Sequence, residues 1–163
     1  MTELLSLDQI PHEQTEALLD AAFGADRRGR TAYLLRDGST AIPELSFAIT
    51  DNDILVGAIQ CWPVQIGGAK LVLVGPVAVL PERQGLGIGH RLMYATLDAA
   101  AGLGEPAMVM IGDPEYYDRF GFTAAETGGW HLPGPWEPRR LLARNVGGYS
   151  LPETGMLERA DAL

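Results

Sequence analysis

Hydrophobic positions recur along the chain with two periods, and together they lay out an alternation of strands and helices. A β-rich stretch from Glu3 to Leu7 is followed, through Pro11, by Leu18, Leu19, Ala22 and Phe23, which share one helical face before a stop at Gly24. Leu45 to Thr50 and Ile54 to Val64 read as strands joined by the turn residues Asp51-Asn52-Asp53, a hairpin. Gly67-Gly68 then turns the chain into a third strand, Lys70 to Leu80. Pro76 has no N–H for a ladder and Gly75 weakens one, so a bulge or a loss of pairing is expected near Gly75-Pro76. From Ile88 to Leu103 the residues Ile88, Leu92, Ala95, Ala99 and Leu103 keep helical spacing, and Gly104 ends the run. Ala107 to Ile111 is a short apolar strand, and Asp113-Pro114 caps a short helix ending at Gly121. Beyond it the spacing predicts a rigid loop around Leu132-Pro133-Gly134-Pro135, a last strand over Leu141 to Val146, and frayed residues at the end. The pattern predicts an α/β fold, one domain with a mixed, mostly antiparallel sheet flanked by helices.

Size and charge narrow the classes. One domain accommodates 163 residues, and 12 Lys plus Arg against 21 Asp plus Glu leave a net charge of -9, which opposes broad attachment to nucleic acid or anionic membrane. Four of the bases lie between Asp26 and Arg36; Arg27, Arg28 and Arg30 among them read as a solvated face or as a contact for an acidic partner or a cofactor's nucleotide end, and no role is assigned to them. The single cysteine, Cys61, excludes an internal disulfide and reads as an inert buried thiol. His12, His90 and His131 are scattered without metal-ligand spacing, so no metal is expected. The N-terminal stretch has an acid where an export signal carries bases, so the expected location is cytoplasmic. A homodimer would leave no distinctive mark in this sequence.

The chemistry concentrates in Pro81-Glu82-Arg83-Gln84-Gly85-Leu86-Gly87-Ile88-Gly89-His90-Arg91, which joins a strand to the best-defined helix. Alternating glycines leave successive N–H groups able to face an anion, and the helix N-terminus adds partial positive charge. Arg83 and Arg91 flank the turn, and no acid occurs between Arg83 and Leu97, so the local field favours phosphate. A Walker loop would need Gly-Lys-Ser/Thr, but the only lysine, Lys70, lies on another strand. A dinucleotide fingerprint fails as well, since its last glycine falls on His90 or Leu92.

Val77-Ala78-Val79 followed by Gln84-Gly85-Leu86-Gly87-Ile88-Gly89 resembles the Q/R-x-x-G-x-G/A signature of the GNAT superfamily of acetyl-CoA-dependent N-acetyltransferases. Gly112-Asp113-Pro114-Glu115-Tyr116-Tyr117-Asp118-Arg119-Phe120-Gly121-Phe122 is similar to the fourth-helix segment of a bacterial subgroup. The resemblance covers residues 1–147 and leaves 148–163 as a tail. It implies that Val77, Ala78 and Val79 offer backbone groups to the pantetheine arm. It further implies that the turn from Gln84 through Gly85, Leu86, Gly87, Ile88 and Gly89 to His90 holds the diphosphate. Tyr117 stands where the family's Tyr-x-x-x-Gly-Phe pattern puts the general acid. The implied reaction is acetyl transfer from acetyl-CoA to a primary amine, in a small molecule or a peptide, by direct attack in a ternary complex. A non-catalytic acyl-CoA-binding module is the alternative. Glu44, Glu82 and Asp113 are base candidates by type, with a water relay equally open. The loop Trp130 to Trp136 can wall an acceptor site or pack over the core.

Overall fold

The computed structural model describes residues 1–160. Its strands are β1 (Thr2–Ser6), β2 (Phe47–Asp51), β3 (Ile54–Ile66), β4 (Ala69–Val79), β5 (Met108–Ile111), β6 (Gly129–His131), β7 (Leu141–Arg144) and β8 (Thr154–Arg159). The helices are α1 (His12–Phe23), α2 (Thr31–Arg36), α3 (Ile88–Gly102) and α4 (Pro114–Tyr117). Hydrogen bonding orders the strands β1-β2-β3-β4-β5-β7, with β8 joined to β3 and β6. The sheet is mixed: β4–β5 and β6–β8 are parallel, whereas β1–β2, β2–β3, β3–β8 and β5–β7 are antiparallel. The α/β expectation with a mixed sheet is met.

Two compact units share the chain, and β3 and β4 each run through both. In the first unit (residues 1–29, 41–61 and 75–102), α1 buries Leu18 and Leu19 against Leu7, Ala48, Leu55, Ala58 and Ala78. Burial of this apolar surface is what makes a helix of α1's length stable. On α3 the buried positions Ile88, Leu92, Met93, Thr96 and Ala100 trace one face, and the Thr96 hydroxyl donates to the Leu45 carbonyl at 3.0 Å. Asn52 and Asp53 take the left-handed conformation that a tight β2–β3 turn requires.

The second unit (residues 30–40, 62–74 and 103–163, of which 161–163 lie outside the described residues) pairs β5 with β7 from Met108↔Arg144 to Ile111↔Leu141. The β4–β5 register covers Val72↔Met108 and Leu73↔Val109 and stops short of Gly75, consistent with the expected loss of pairing. Asp113 caps α4, accepting from the Glu115 N–H at 3.2 Å; a single 3-10 turn over Asp118–Phe120 completes the segment to Gly121.

Two expectations are corrected. The last ten or so residues, expected to be frayed, hold a strand in their described part. Thr154–Arg159 forms β8, paired with β3 from Val64↔Arg159 to Ile66↔Leu157 and with β6. Trp130 on β6 is 1% exposed and its indole N–H donates to the Pro152 carbonyl at 2.8 Å. The Arg27 side chain is no solvated face. It is 1% exposed, its Nε bonded to Asp20 at 2.9 Å and its Nη2 set 3.2 Å from Glu16, which Arg28 also holds at 2.7 Å.

Candidate functional site

The glycine turn expected to hold phosphate belongs to the first unit. A 3-10 turn over Pro81–Arg83 delivers Gln84, and residues 84–87 are exposed before Ile88 is buried at the start of α3. Gly85 and Gly87 adopt φ of 83° and 82°, a region costly for any residue with a Cβ, and space around both is open. The first-turn N–H groups of α3 have no carbonyl within the helix to bond, so they and the helix dipole favour an anion. No protein atom comes within 4 Å of a Cβ built on either glycine, and the donor set suits a phosphate oxygen.

Position of the turn is set from below by β3 and β4. Gly57 on β3 lies so close to α3 that a Cβ there would sit 2.6 Å from Ile88 Cγ2, 3.1 Å from Leu92 Cδ1 and 3.4 Å from the Ala78 carbonyl. The missing side chain therefore lets the helix start seat directly on the strands. Ala78 is buried in the α1 core while Val77 and Val79 are half-buried on the opposite side of the strand. Thus Val77–Val79 and the turn from Gln84 to His90 are gathered in one unit.

The flanking arginines differ from the sequence expectation. Arg83 Nη1 is bonded to Asp51 at 2.6 Å, and Arg91 Nη1 donates to the Thr2 hydroxyl at 2.8 Å. The hydrogen bond from Arg83, with a second from the chain's amino terminus, holds the Asp51 carboxyl below the usual carboxylate range. Charge on Arg83 is already answered, so it adds little to the field at the turn. A sequence pass misses this because Asp51 sits in another hairpin.

Tyr117 belongs to the second unit. Its ring lies against Gly112, where a Cβ would meet Cε2 at 2.7 Å and Cδ2 at 2.8 Å, and edge-on to Tyr116 with centroids 4.8 Å apart. Gly112 is fixed in turn by Arg140, whose carbonyl accepts from the Gly112 N–H at 2.9 Å and whose Nε donates to the Gly112 carbonyl at 3.3 Å. Burial, and then the neighbouring Tyr116, push the Tyr117 phenol up to about 12. The proton is held more tightly than in the near-balance with a thiol that an unperturbed phenol offers. Tyr116 instead packs under the Arg119 guanidinium, 4.5 Å from its ring centroid.

The other candidates resolve simply. Glu44 and Glu82 are exposed, and Asp113 is the α4 cap. Cys61 is fully buried, and burial pushes its thiol up to about 12, which leaves no nucleophile at neutral pH. The loop before β7 is tied to α2, since the Thr31 hydroxyl donates to the Pro135 carbonyl and His131 meets Trp136 edge-on at 5.6 Å. Arg36 on α2 is stacked between Tyr33 and Trp62, 4.2 and 4.3 Å from the ring centroids.

A family model described as an acetyltransferase (GNAT) domain matches residues 43–124, from the approach to β2 through the glycine turn, α3 and Tyr117. The chain belongs to the GNAT acetyltransferases. An uncharacterized N-acetyltransferase of Escherichia coli strain K12, YhbS, is 34% identical over 112 residues, 68% of this GNAT chain and 66% of that protein's length. The crystal structure of E. coli YhbS in complex with CoA is similar over 98% of this chain and 89% of that one, with 25% identity and a TM-score of 0.74. A GNAT-family acetyltransferase from Brucella melitensis, in complex with acetyl-CoA, matches 98% of this chain and 96% of its own, at 27% identity and a TM-score of 0.69. These GNAT relatives share the fold that carries the turn and the Tyr117 segment. No helix among the described residues is long and apolar enough to cross a membrane.

Proposed function

We propose that this protein transfers an acetyl group from acetyl-CoA to a primary amine by direct attack in a ternary complex, in the cytoplasm. The observation that carries the reading is the turn at the start of α3, with Gly85 and Gly87 in left-handed conformation under a helix N-terminus. The solved relatives with CoA or acetyl-CoA bound support the choice of ligand. Backbone N–H groups from Gly85 to His90, introduced by Gln84, hold the diphosphate, and backbone groups of Val77, Ala78 and Val79 align the pantetheine arm.

Acetyl-CoA supplies an activated thioester. The amine nitrogen forms a bond to the acetyl carbon while the carbon–sulfur bond breaks, and the electron pair leaves with sulfur. Tyr117 hydrogen-bonds the departing sulfur and gives it the phenolic proton. The proton lost by the nitrogen goes to solvent, and a solvent proton restores the phenol. With its phenol raised to about 12, Tyr117 is protonated across the physiological range, as an acid must be. Cys61 is too deeply buried to form an acetyl-enzyme, which favours direct attack.

The test is a thermal-shift titration with acetyl-CoA, CoA and NADH, followed by CoA release with a panel of polyamines, aminoglycosides, amino acids and short peptides. Saturation at 100 times Kd stabilises a fold by about 2.7 kcal/mol. A shift with both CoA ligands but not NADH, and release with at least one amine, is expected. Binding without release for any amine would replace the transferase with an acyl-CoA-binding module; no shift at millimolar ligand would defeat both readings.

A further inference from the structure

We infer that Gly112 is a positioning residue for Tyr117: its missing side chain is the seat that fixes the phenol. This deepens the proposed function and rests on its assignment of Tyr117 as the acid. Gly112 has a backbone conformation open to any residue, so conformational freedom does not explain it; space does. The ring carbons Cε2 and Cδ2 occupy the place a Cβ would take, at 2.7 and 2.8 Å, whereas carbon atoms at rest lie about 3.5–4.0 Å apart. Any side chain at position 112 therefore moves the ring by about 0.8 Å or displaces Gly112.

Neither movement is free. On one side, Gly112 carries two hydrogen bonds with Arg140 directly beyond the Ile111↔Leu141 pair that ends the β5–β7 ladder. On the other, the Tyr117 backbone is held by Asp113, whose carbonyl accepts its N–H at 3.0 Å, and by Phe122, whose N–H donates to its carbonyl at 3.3 Å. Tyr116 and Phe120 flank the ring, with centroids at 4.8 and 6.3 Å, while the ring stays half-buried. The ring takes this pose because residue 112 has no side chain. A proton donor displaced by most of an ångström loses the alignment on which transfer depends.

The experiment compares wild type, Gly112→Ala, Tyr117→Phe and the double variant. It reads kcat and KM with the amine giving the fastest CoA release, CoA affinity by calorimetry, and tyrosine-ring 13C NMR, with Tyr117 signals assigned by their loss in Tyr117→Phe. Gly112→Ala should shift the Tyr117 ring signals and lower kcat roughly ten- to a hundredfold with CoA affinity within about twofold. The double variant should be no slower than Tyr117→Phe, because a ring without its hydroxyl has nothing to misplace. Unshifted ring signals, or kcat losses that multiply in the double variant, overturn the positioning role. Wild-type turnover in Tyr117→Phe overturns the acid assignment, and with it the functional part of the inference, while the ring shifts still report on the seat. If Gly112→Ala fails to fold, adding Tyr117→Ala, which removes the ring, must restore folding; continued failure refutes the seat.

Discussion

Gly57→Ala tests whether α3, and with it the glycine turn proposed to hold phosphate, is seated by an absent side chain. The added methyl would lie 2.6 Å from Ile88 Cγ2, so about 1 Å of relief is needed for an ordinary carbon–carbon contact. Ile88 is β-branched at the first position of a helix, where one rotamer dominates, so its γ-methyl cannot swing away and α3 must lift. Leu92, one turn further on and fully buried, blocks a sideways slide at 3.1 Å. Overpacking of this kind costs about 1–3 kcal/mol, partly offset by the 0.4–1 kcal/mol that Gly→Ala contributes through a less flexible unfolded chain. The expected result is a fall in Tm of a few degrees, since about 1 kcal/mol moves Tm by about 2–4 °C at this size. CoA affinity, measured by calorimetry, should weaken roughly tenfold as the turn's amides lose their alignment, a cost of about 1.4 kcal/mol. Ile88→Ala removes the obstructing methyl, so the two substitutions should couple by about 0.5–3 kcal/mol rather than add. Unchanged Tm and affinity in Gly57→Ala, or strict additivity with Ile88→Ala, would refute the seating argument.

Tyr117→Phe should lower kcat by about 10²–10⁴-fold while sparing CoA binding, and the wild-type kcat–pH profile should show no loss of the acid below about pH 11. The same raised phenol makes stability fall from about pH 10 towards 12, because the folded state holds that proton more tightly than the unfolded one; Tyr117→Phe should flatten that limb in a Tm–pH series. Burial alone would raise the Glu16 carboxyl, but hydrogen bonds from Arg28 and Arg27, aided by the charges of Arg27 and His12, hold it below its ordinary value of 4.5. Its stabilisation is thus present above pH 4.5 and lost as pH falls through the lowered value, and Glu16→Gln should show a shallower acid limb than wild type. Cys61 should resist iodoacetamide at pH 8 in the folded protein and react once denatured; rapid native alkylation, read by mass spectrometry, would contradict its burial.

What the sequence made legible is local. The turn from Gln84 to His90, the α3 face beginning at Ile88 and the Asp113 cap each depend on residues within one or two helical turns, so their spacing is their structure. β6 and β8 were not legible for the converse reason. On β8 only Leu157 is buried, leaving no alternation to detect, and the strand exists because β3 is long enough to offer Val64–Ile66 as a partner. Arg27 looked like a surface base because its acids, Glu16 and Asp20, sit on the preceding helix. Gly57 carried no motif, and Gly112 stood at the head of the fourth-helix segment with no role of its own; the first is explained by a helix far along the chain, the second by a ring that only the folding of α4 brings back.

The flanking arginines show how a chain of net charge -9 holds the glycine turn at both ends. Thr2 and Asp51 face each other across the β1–β2 ladder, and Arg91 and Arg83, from the two ends of the turn, reach that one cross-strand pair. Both side chains act as guy-lines, and although Arg91 keeps its charge beside a neutral hydroxyl, an anion held at the turn, as proposed, would rely on the amides of Gly85 to His90 and the α3 dipole. Those sources are short-ranged and orientation-dependent, unlike a guanidinium that can swing to meet its ligand. Binding at such a turn is only as good as its geometry. The left-handed glycines shape it, the arginine tethers hold its ends, and the bare Cα of Gly57 sets its height over the sheet.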